Sequence, residues 1–239
     1  MADRLRLAVG RFLRRQAGKG SRPSGLSLYP VCLLMKRMAF EQTGLGQQFE
    51  TADGAASYAS RHAGLMRRFA KRFARRLAEA QRPVRRLLDV GCGPGTLCIE
   101  LARQLPEAEI VGADLSAPML ETARKDAREA GLAERVSFQP GDAADLPFEE
   151  GSFDAVVSVD TLNCVLDPRA MLSQCARVTA AGGTVLVATP RRGFLAYLVR
   201  VFRTGFTPDE MTRMARDAGL ASPRVDAHLM FVTLCAVAR

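Results

Sequence analysis

The chain has 239 residues, 48% of them hydrophobic and 25% charged, with a formal net charge of +9 at pH 7. That composition excludes the disordered and fibrous classes, and no run reaches the ~18 uninterrupted apolar residues of a membrane-spanning helix, Leu26 to Leu34 being broken by Ser27 and Pro30. The charge is unevenly placed: residues 1–86 carry 19 Lys+Arg against 5 Asp+Glu, and residues 87–239 carry 15 against 20, so the basic surplus belongs to the N-terminal part and not to the body.

Met1 to Gly20 is Arg-rich, with a short apolar stripe of Leu5, Ala8 and Phe12 among Arg4, Arg6, Arg11, Arg14 and Arg15. It lacks a signal-peptide apolar core, so secretion is not expected, while an organelle-targeting peptide of similar composition stays open. Gly18 to Pro30 is rich in Gly, Ser and Pro and reads as a linker. Residues 1–52 are expected to form a basic, partly flexible arm, and residues 53–239 the folded domain. Leu65–Ala80 is predicted helical: Met66, Phe69, Phe73 and Leu77 fall on one stripe, and Arg67, Arg68, Lys71, Arg72, Arg75 and Arg76 opposite it. Two readings stand, a packed helix with a solvated basic face, and a contact for phosphate-rich partners or an anionic membrane surface.

From Arg86 onward, strands and helices alternate. Strands are predicted at Arg86–Val90, Glu109–Ala113, Arg135–Gln139, Phe153–Val159 and Gly183–Thr189, with helices at Thr96–Gln104, Ala117–Ala130, Pro168–Thr179 and Pro208–Ala218. Ser116 is placed to cap the second of these helices and Gly131 to end it; Thr207 with Glu210 forms a capping-box pattern, and Gly219 stops the last. Arg224–His228 and Met230–Ala238 complete the pattern as a hairpin at the sheet edge. The architecture is α/β, a doubly wound seven-stranded sheet with helices on both faces. The six cysteines contain no CxxC pair and the chain has only two histidines, His62 and His228. No zinc site is implied, and reduced core thiols in a cytoplasm-like compartment are expected.

The most informative stretch is Leu87-Leu88-Asp89-Val90-Gly91-Cys92-Gly93-Pro94-Gly95-Thr96. A hydrophobic strand runs through three glycines into a helix, where the backbone can turn sharply and offer free N–H groups to a ligand. The dinucleotide fingerprint would put its third glycine on Thr96, and a Walker loop would need Gly-Lys-Ser/Thr; neither is present. Asp114 ends the second strand, where an acid can accept from both hydroxyls of a ribose, and Asp142 follows the third, placed to accept from an exocyclic amine. An adenosine-containing ligand without a pyrophosphate fits this set.

Together with Gly141-Asp142-Ala143, Phe153-Asp154-Ala155-Val156-Val157-Ser158 and Leu166-Asp167-Pro168, these motifs make the chain resemble the class I S-adenosylmethionine-dependent methyltransferases over about Tyr58 to Ala238. Within them it resembles the small-molecule enzymes that include the quinone-biosynthesis C-methyltransferases. The resemblance implies a Rossmann-like fold and S-adenosylmethionine as cofactor. Gly91, Gly93 and Gly95 would cradle its methionine part and Asp89 would organise the loop and the amino group. Asp114 would bind the ribose, and Asp142 with the Ala143 backbone the adenine, with Met119 packing on it. Ser158, Val159 and Asp160 would border the methyl group, and Tyr58 would cover the pocket.

Transfer from a sulfonium is an in-line displacement, and alignment with exclusion of water carries most of it. A base is needed only if the acceptor loses a proton. Asp160 and Asn163 are the catalytic candidates, with Cys164, His62 and Tyr58 as further pocket-lining groups. Many relatives carry a histidine pair after the fourth strand; Leu162-Asn163-Cys164-Val165 has none, which weakens a histidine-based abstraction. No metal is expected. Neither an Asn-Pro-Pro-aromatic signature nor a Pro-Cys nucleophile is present, so nucleic acid is not an expected partner. The acceptor is expected to be a small apolar molecule, quinone-like, lipid or secondary metabolite. Arg191–Arg203, apolar and studded with arginine, reads as a packed helix, a lid or a shallow membrane contact. The expected location is cytoplasmic, with a peripheral membrane contact through the basic N-terminal segments as the variant considered. The other readings of function are a non-catalytic cofactor-binding assembly factor and an RNA methyltransferase.

Overall fold

Each central strand buries residues on both sides, and this selects a sheet sandwiched between helical layers. The structure, a computed structural model, describes residues 50–80, 82–193 and 204–239. The Leu5–Phe12 stripe, the Gly18–Pro30 linker, Cys32 and residues 194–203 of the arginine-studded segment lie outside the described residues. In chain order the elements are α1 (Ala52–Ala78), β1 (Arg86–Val90), α2 (Thr96–Gln104), β2 (Glu109–Asp114), α3 (Ala117–Glu129), β3 (Val136–Pro140), β4 (Phe153–Val159), α4 (Pro168–Val178), β5 (Thr179–Pro190), α5 (Pro208–Asp217), β6 (Ala221–Ala227) and β7 (Phe231–Val237).

The strands form one seven-stranded sheet in the order β3-β2-β1-β4-β5-β7-β6. The β1–β5 pairs are parallel, and β7 runs antiparallel to both β5 and β6. Strand periodicity divides the core. Leu87, Val157 and Leu186 face one apolar cluster with Phe69, Phe73 and Leu77 of α1 and residues of α2 and α3; Leu88, Val156 and Val187 face the other with α4 and α5. The expected fold is therefore found, with the final strand inserted inside the hairpin so that β6 and not β7 forms the edge.

Most boundaries match the sequence pattern, and the caps are the signalled ones. Ser116 Oγ accepts from the Met119 N–H, and Thr207 and Glu210 form both halves of the capping box. Three elements differ. α1 begins 13 residues before the predicted Leu65, because Thr51 caps it through the Gly54 N–H at 3.1 Å, and the small residues and glycines after it hide the apolar stripe. β5 starts at Thr179, directly after α4. β6 starts at Ala221, and a register irregularity between Ala221 and Arg224, with Ser222 at φ 47°, carries it past Pro223.

Candidate functional site

The parallel strands β1, β2 and β4 deliver their carboxyl ends to one side of the sheet, where chains leaving in opposite directions open a crevice. The Gly91–Gly95 turn closes the end of β1. Gly91, Gly93 and Gly95 have φ of 72°, 52° and 76°, the left-handed region that glycine adopts without strain. Their surroundings differ. A Cβ on Gly91 would lie 2.2 Å from Thr161 Oγ1, and one on Gly95 would lie 2.7 Å from the Phe138 ring and 2.8 Å from Ala123 Cβ, whereas Gly93 faces open space. The outer two glycines are thus needed for packing, and the middle one leaves room for a ligand. Gly91 and Cys92 donate to Ala113 O at 2.8 and 3.1 Å, tying the turn to β2.

Asp89 lies in β1, 1% exposed, and its Oδ2 accepts from the Cys98 thiol on α2 at 3.2 Å. Its Oδ1 is buried with no hydrogen-bond partner. Burial pushes its carboxyl up to about 7; the Cys98 contact opposes this and the nearby Asp114 adds to it. Asp114 is satisfied differently: Oδ2 accepts from Gly93 N at 2.9 Å and Oδ1 from Ser116 N at 2.8 Å. Burial raises its carboxyl, and these backbone donors hold it back. The Leu115 N–H adds to them, so the carboxylate keeps only part of its roughly four lone-pair sites for a ligand.

Asp160 follows β4 in a left-handed conformation, φ 60°, with its N–H on Ala188 O at 2.9 Å. Its Oδ1 too is buried without a partner, and burial lifts the carboxyl to about 6 against the pull of the Asn163 amide. Asn163 is buried and accepts from Thr189 Oγ1 of β5 at 3.1 Å. Tyr58, on α1, is half-buried and stacks on His62 with ring centroids 4.1 Å apart. Its phenol is raised, first by burial and then by the Asp160 carboxylate, the Cys164 thiol and the Asp114 carboxylate.

The remaining predicted residues take more local places. Ser158 is fully buried and donates to Val90 O at 2.8 Å, bonding β4 to β1. Met119 is buried in the first turn of α3. Asp142 is exposed, its Oδ1 accepting from Ala144 N at 2.9 Å, and Ala143 beside it is buried. Sequence reasoning missed Cys98, the hydrogen-bond partner of Asp89, and Thr161, whose hydroxyl lies 3.3 Å from Gly91 O. It also missed Leu115, 73% exposed directly after Asp114. Cys98 had a signal, since a residue in the first turn after a glycine loop faces back over the strand it follows; nothing in the pattern marked Thr161. Among the described residues no group of three or more His, Cys, Asp or Glu could hold a metal ion. Cys92, Cys98 and Cys175 are buried, whereas Cys164 is exposed beside Asp160.

Comparison with known proteins bears on the family and the fold. Residues 83–219 match the model of a methyltransferase domain. The ubiquinone biosynthesis O-methyltransferase of Methylococcus capsulatus is 35% identical over 153 residues, 57% of this chain and 63% of that protein. The demethylmenaquinone methyltransferase of Thermus thermophilus is 38% identical over 121 residues, 49% of this chain and 54% of its own length. The chain thus spans less than two thirds of either relative. A geranyl diphosphate C-methyltransferase from Streptomyces coelicolor, solved with geranyl diphosphate and S-adenosyl-L-homocysteine, shares the fold at a TM-score of 0.59 and 18% identity, over 72% of this chain and 80% of that one.

Proposed function

The chain belongs to the methyltransferase-domain family, and on that premise we propose that it transfers a methyl group from S-adenosylmethionine to a small apolar acceptor. The observation that carries the reading is the buried Asp89 carboxylate, which has one oxygen without a partner beside a glycine loop that leaves open space at Gly93. A bare carboxylate oxygen in a buried position is costly unless a cation or donor meets it, and the amino group of the cofactor is both. The residues therefore fit the group. The glycine loop accommodates the methionine part, and the free lone pairs of Asp114 suit two ribose hydroxyls. Leu115 offers an apolar face beside them for the adenine ring, and Asp142 with Ala143 its polar edge.

When bound, S-adenosylmethionine supplies an electrophilic methyl on a sulfonium. The chain's own part is to align the acceptor, exclude water and, where the acceptor must lose a proton, receive it. Asp160 suits that last role: with its carboxyl near 6 it is ionised at neutral pH and has an unpartnered oxygen, and Asn163, held by Thr189, fixes the neighbouring wall. Tyr58 covers the crevice from α1. Two relatives, one named for ubiquinone biosynthesis and one for demethylmenaquinone, support an apolar acceptor. Calorimetric titration of S-adenosylmethionine tests the pocket: Asp114→Ala removes charge-assisted hydrogen bonds worth about 1.5–3 kcal/mol each and should weaken binding at least tenfold, with Asp142→Ala, at an exposed position, weakening it less. Unchanged affinity in a folded Asp114→Ala protein would overturn the assignment.

A further inference from the structure

We propose that the edge of the domain formed by α1 and the β6–β7 turn docks on an anionic lipid surface, with Leu229 and Met230 entering the interface. The first observation is a basic ridge. Arg68, Lys71, Arg72 and Arg75 share one side of α1 at helical spacing, and α1 lies against β6, where Arg72 and Arg76 both donate to Asp226 Oδ2 at 3.1 and 2.8 Å and Arg72 also meets His228 Nε2. Asp226 thereby holds two of the guanidiniums. Arg68, Lys71 and Arg75 are exposed, and their side chains form no hydrogen bond or ion pair with the described residues. A groove of about 480 Å³ between the two elements is lined by Arg72, Arg75, Arg76, Glu79 and His228, so the basic charge surrounds a concavity.

The second observation is independent of charge. The turn following His228 presents two large aliphatic side chains to solvent, Leu229 at 77% and Met230 at 47% exposure. Neither contributes to the apolar clusters. Cations flanking exposed aliphatic side chains suit a lipid headgroup layer above acyl chains, where each part meets its complement. Nucleic acid would call for aromatic or amide groups to stack on and read bases, and none of the exposed large hydrophobic residues among the described ones is aromatic.

The topology also directs this edge. Phe231 of β7 pairs with Pro190 at the carboxyl end of β5, so the β6–β7 turn projects from the same end of the sheet as Gly91–Gly95, Asp114 and Asp160. At about 4.8 Å per strand, β7 stands three strands from β1, or roughly 15 Å. A membrane met by this turn would border the crevice, and an apolar acceptor would reach it without crossing water; this consequence rests on the methyl-transfer reading, whereas the docking does not.

The test is sedimentation of the full chain with vesicles of phosphatidylcholine alone and of phosphatidylcholine mixed with phosphatidylglycerol, at low and high salt. Each cation near such a surface contributes about fivefold to binding, so the triple variant Arg68→Gln, Lys71→Gln, Arg75→Gln should bind the mixed vesicles roughly a hundredfold more weakly, and high salt should release the native chain. The protein has no tryptophan, so Leu229→Trp gives a background-free reporter whose emission should shift to the blue with mixed vesicles and stay unchanged with neutral ones. Equal binding by the triple variant, an unshifted Leu229→Trp emission, or retention of an RNA oligonucleotide in place of vesicles would each overturn the proposal. Titration of S-adenosylmethionine into the same preparations keeps a failure of docking separate from a failure of the pocket.

Discussion

Asp89→Asn should make the ligand-free protein more stable at alkaline pH while weakening its hold on S-adenosylmethionine. In the fold, the Asp89 carboxyl is lifted from 3.8 to about 7, mainly by burial. Lifting the carboxyl that far corresponds to roughly 4 kcal/mol of destabilisation borne by the ionised carboxylate. Because the folded value lies above the unfolded one, this penalty is absent below about pH 4, grows as the group ionises in the unfolded chain, and is complete above about pH 7. Asparagine keeps an oxygen for the Cys98 thiol, which stands at 3.2 Å, and never ionises. Its amide N–H meets no protein partner, a cost of about 1–3 kcal/mol. The difference leaves a net gain of roughly 1–3 kcal/mol for the variant at pH 8, vanishing or reversing at pH 5. Urea unfolding of both proteins at the two pH values measures it. Calorimetry should show a loss of cofactor affinity of at least tenfold, since an amide cannot offset an ammonium charge. A variant whose stability relative to the native protein does not change between pH 5 and pH 8 would show that Asp89 is not held as a buried, unpaired carboxylate.

Gly95→Ala should destabilise the protein by about 2 kcal/mol or more and weaken cofactor binding, since φ is 76° and the new Cβ would sit 2.7 Å from Phe138; thermal denaturation and calorimetry check it. Phe73→Ala, at a fully buried ring on α1, should cost about 3–5 kcal/mol in urea unfolding and loosen the helix that carries Tyr58. If Asp160 receives the proton, turnover on a phenolic or enolic acceptor should rise with pH through about 6, the value to which burial lifts its carboxyl, and Asp160→Asn should remove that limb of the profile. A limb that survives the substitution assigns the proton to another group.

The parts of the fold legible in the sequence are those set by local chemistry. The run Leu87–Val90 into three glycines, the Ser116 cap and the Thr207–Glu210 box each specify a backbone state within a few residues, and each is found where the pattern places it. Asp114 and Asp160 were legible because strand ends put them on one side of a parallel sheet. What escaped depends on tertiary neighbours. The insertion of β7 between β5 and β6 puts the apolar strand Phe231–Val237 against β5 and leaves the more polar Ala221–Ala227, with no buried residue, at the edge. The early start of α1 was hidden by Gly54 and Gly64. Cys98 and Thr161 act through contacts with residues 9 and 70 positions away. Ser158 reads as a pocket residue by position, yet its hydroxyl is spent on Val90 O at 2.8 Å.

The proposed transfer of a methyl group to a small apolar molecule can be followed with a labelled cofactor. Incubating the full chain with methyl-tritiated S-adenosylmethionine and a cell extract, then counting the organic-solvent layer, tests it most directly. Protein-dependent label is expected in that layer and is lost with Asp114→Ala. Label confined to the unreacted cofactor, or recovered in the RNA of the aqueous phase, would contradict that transfer.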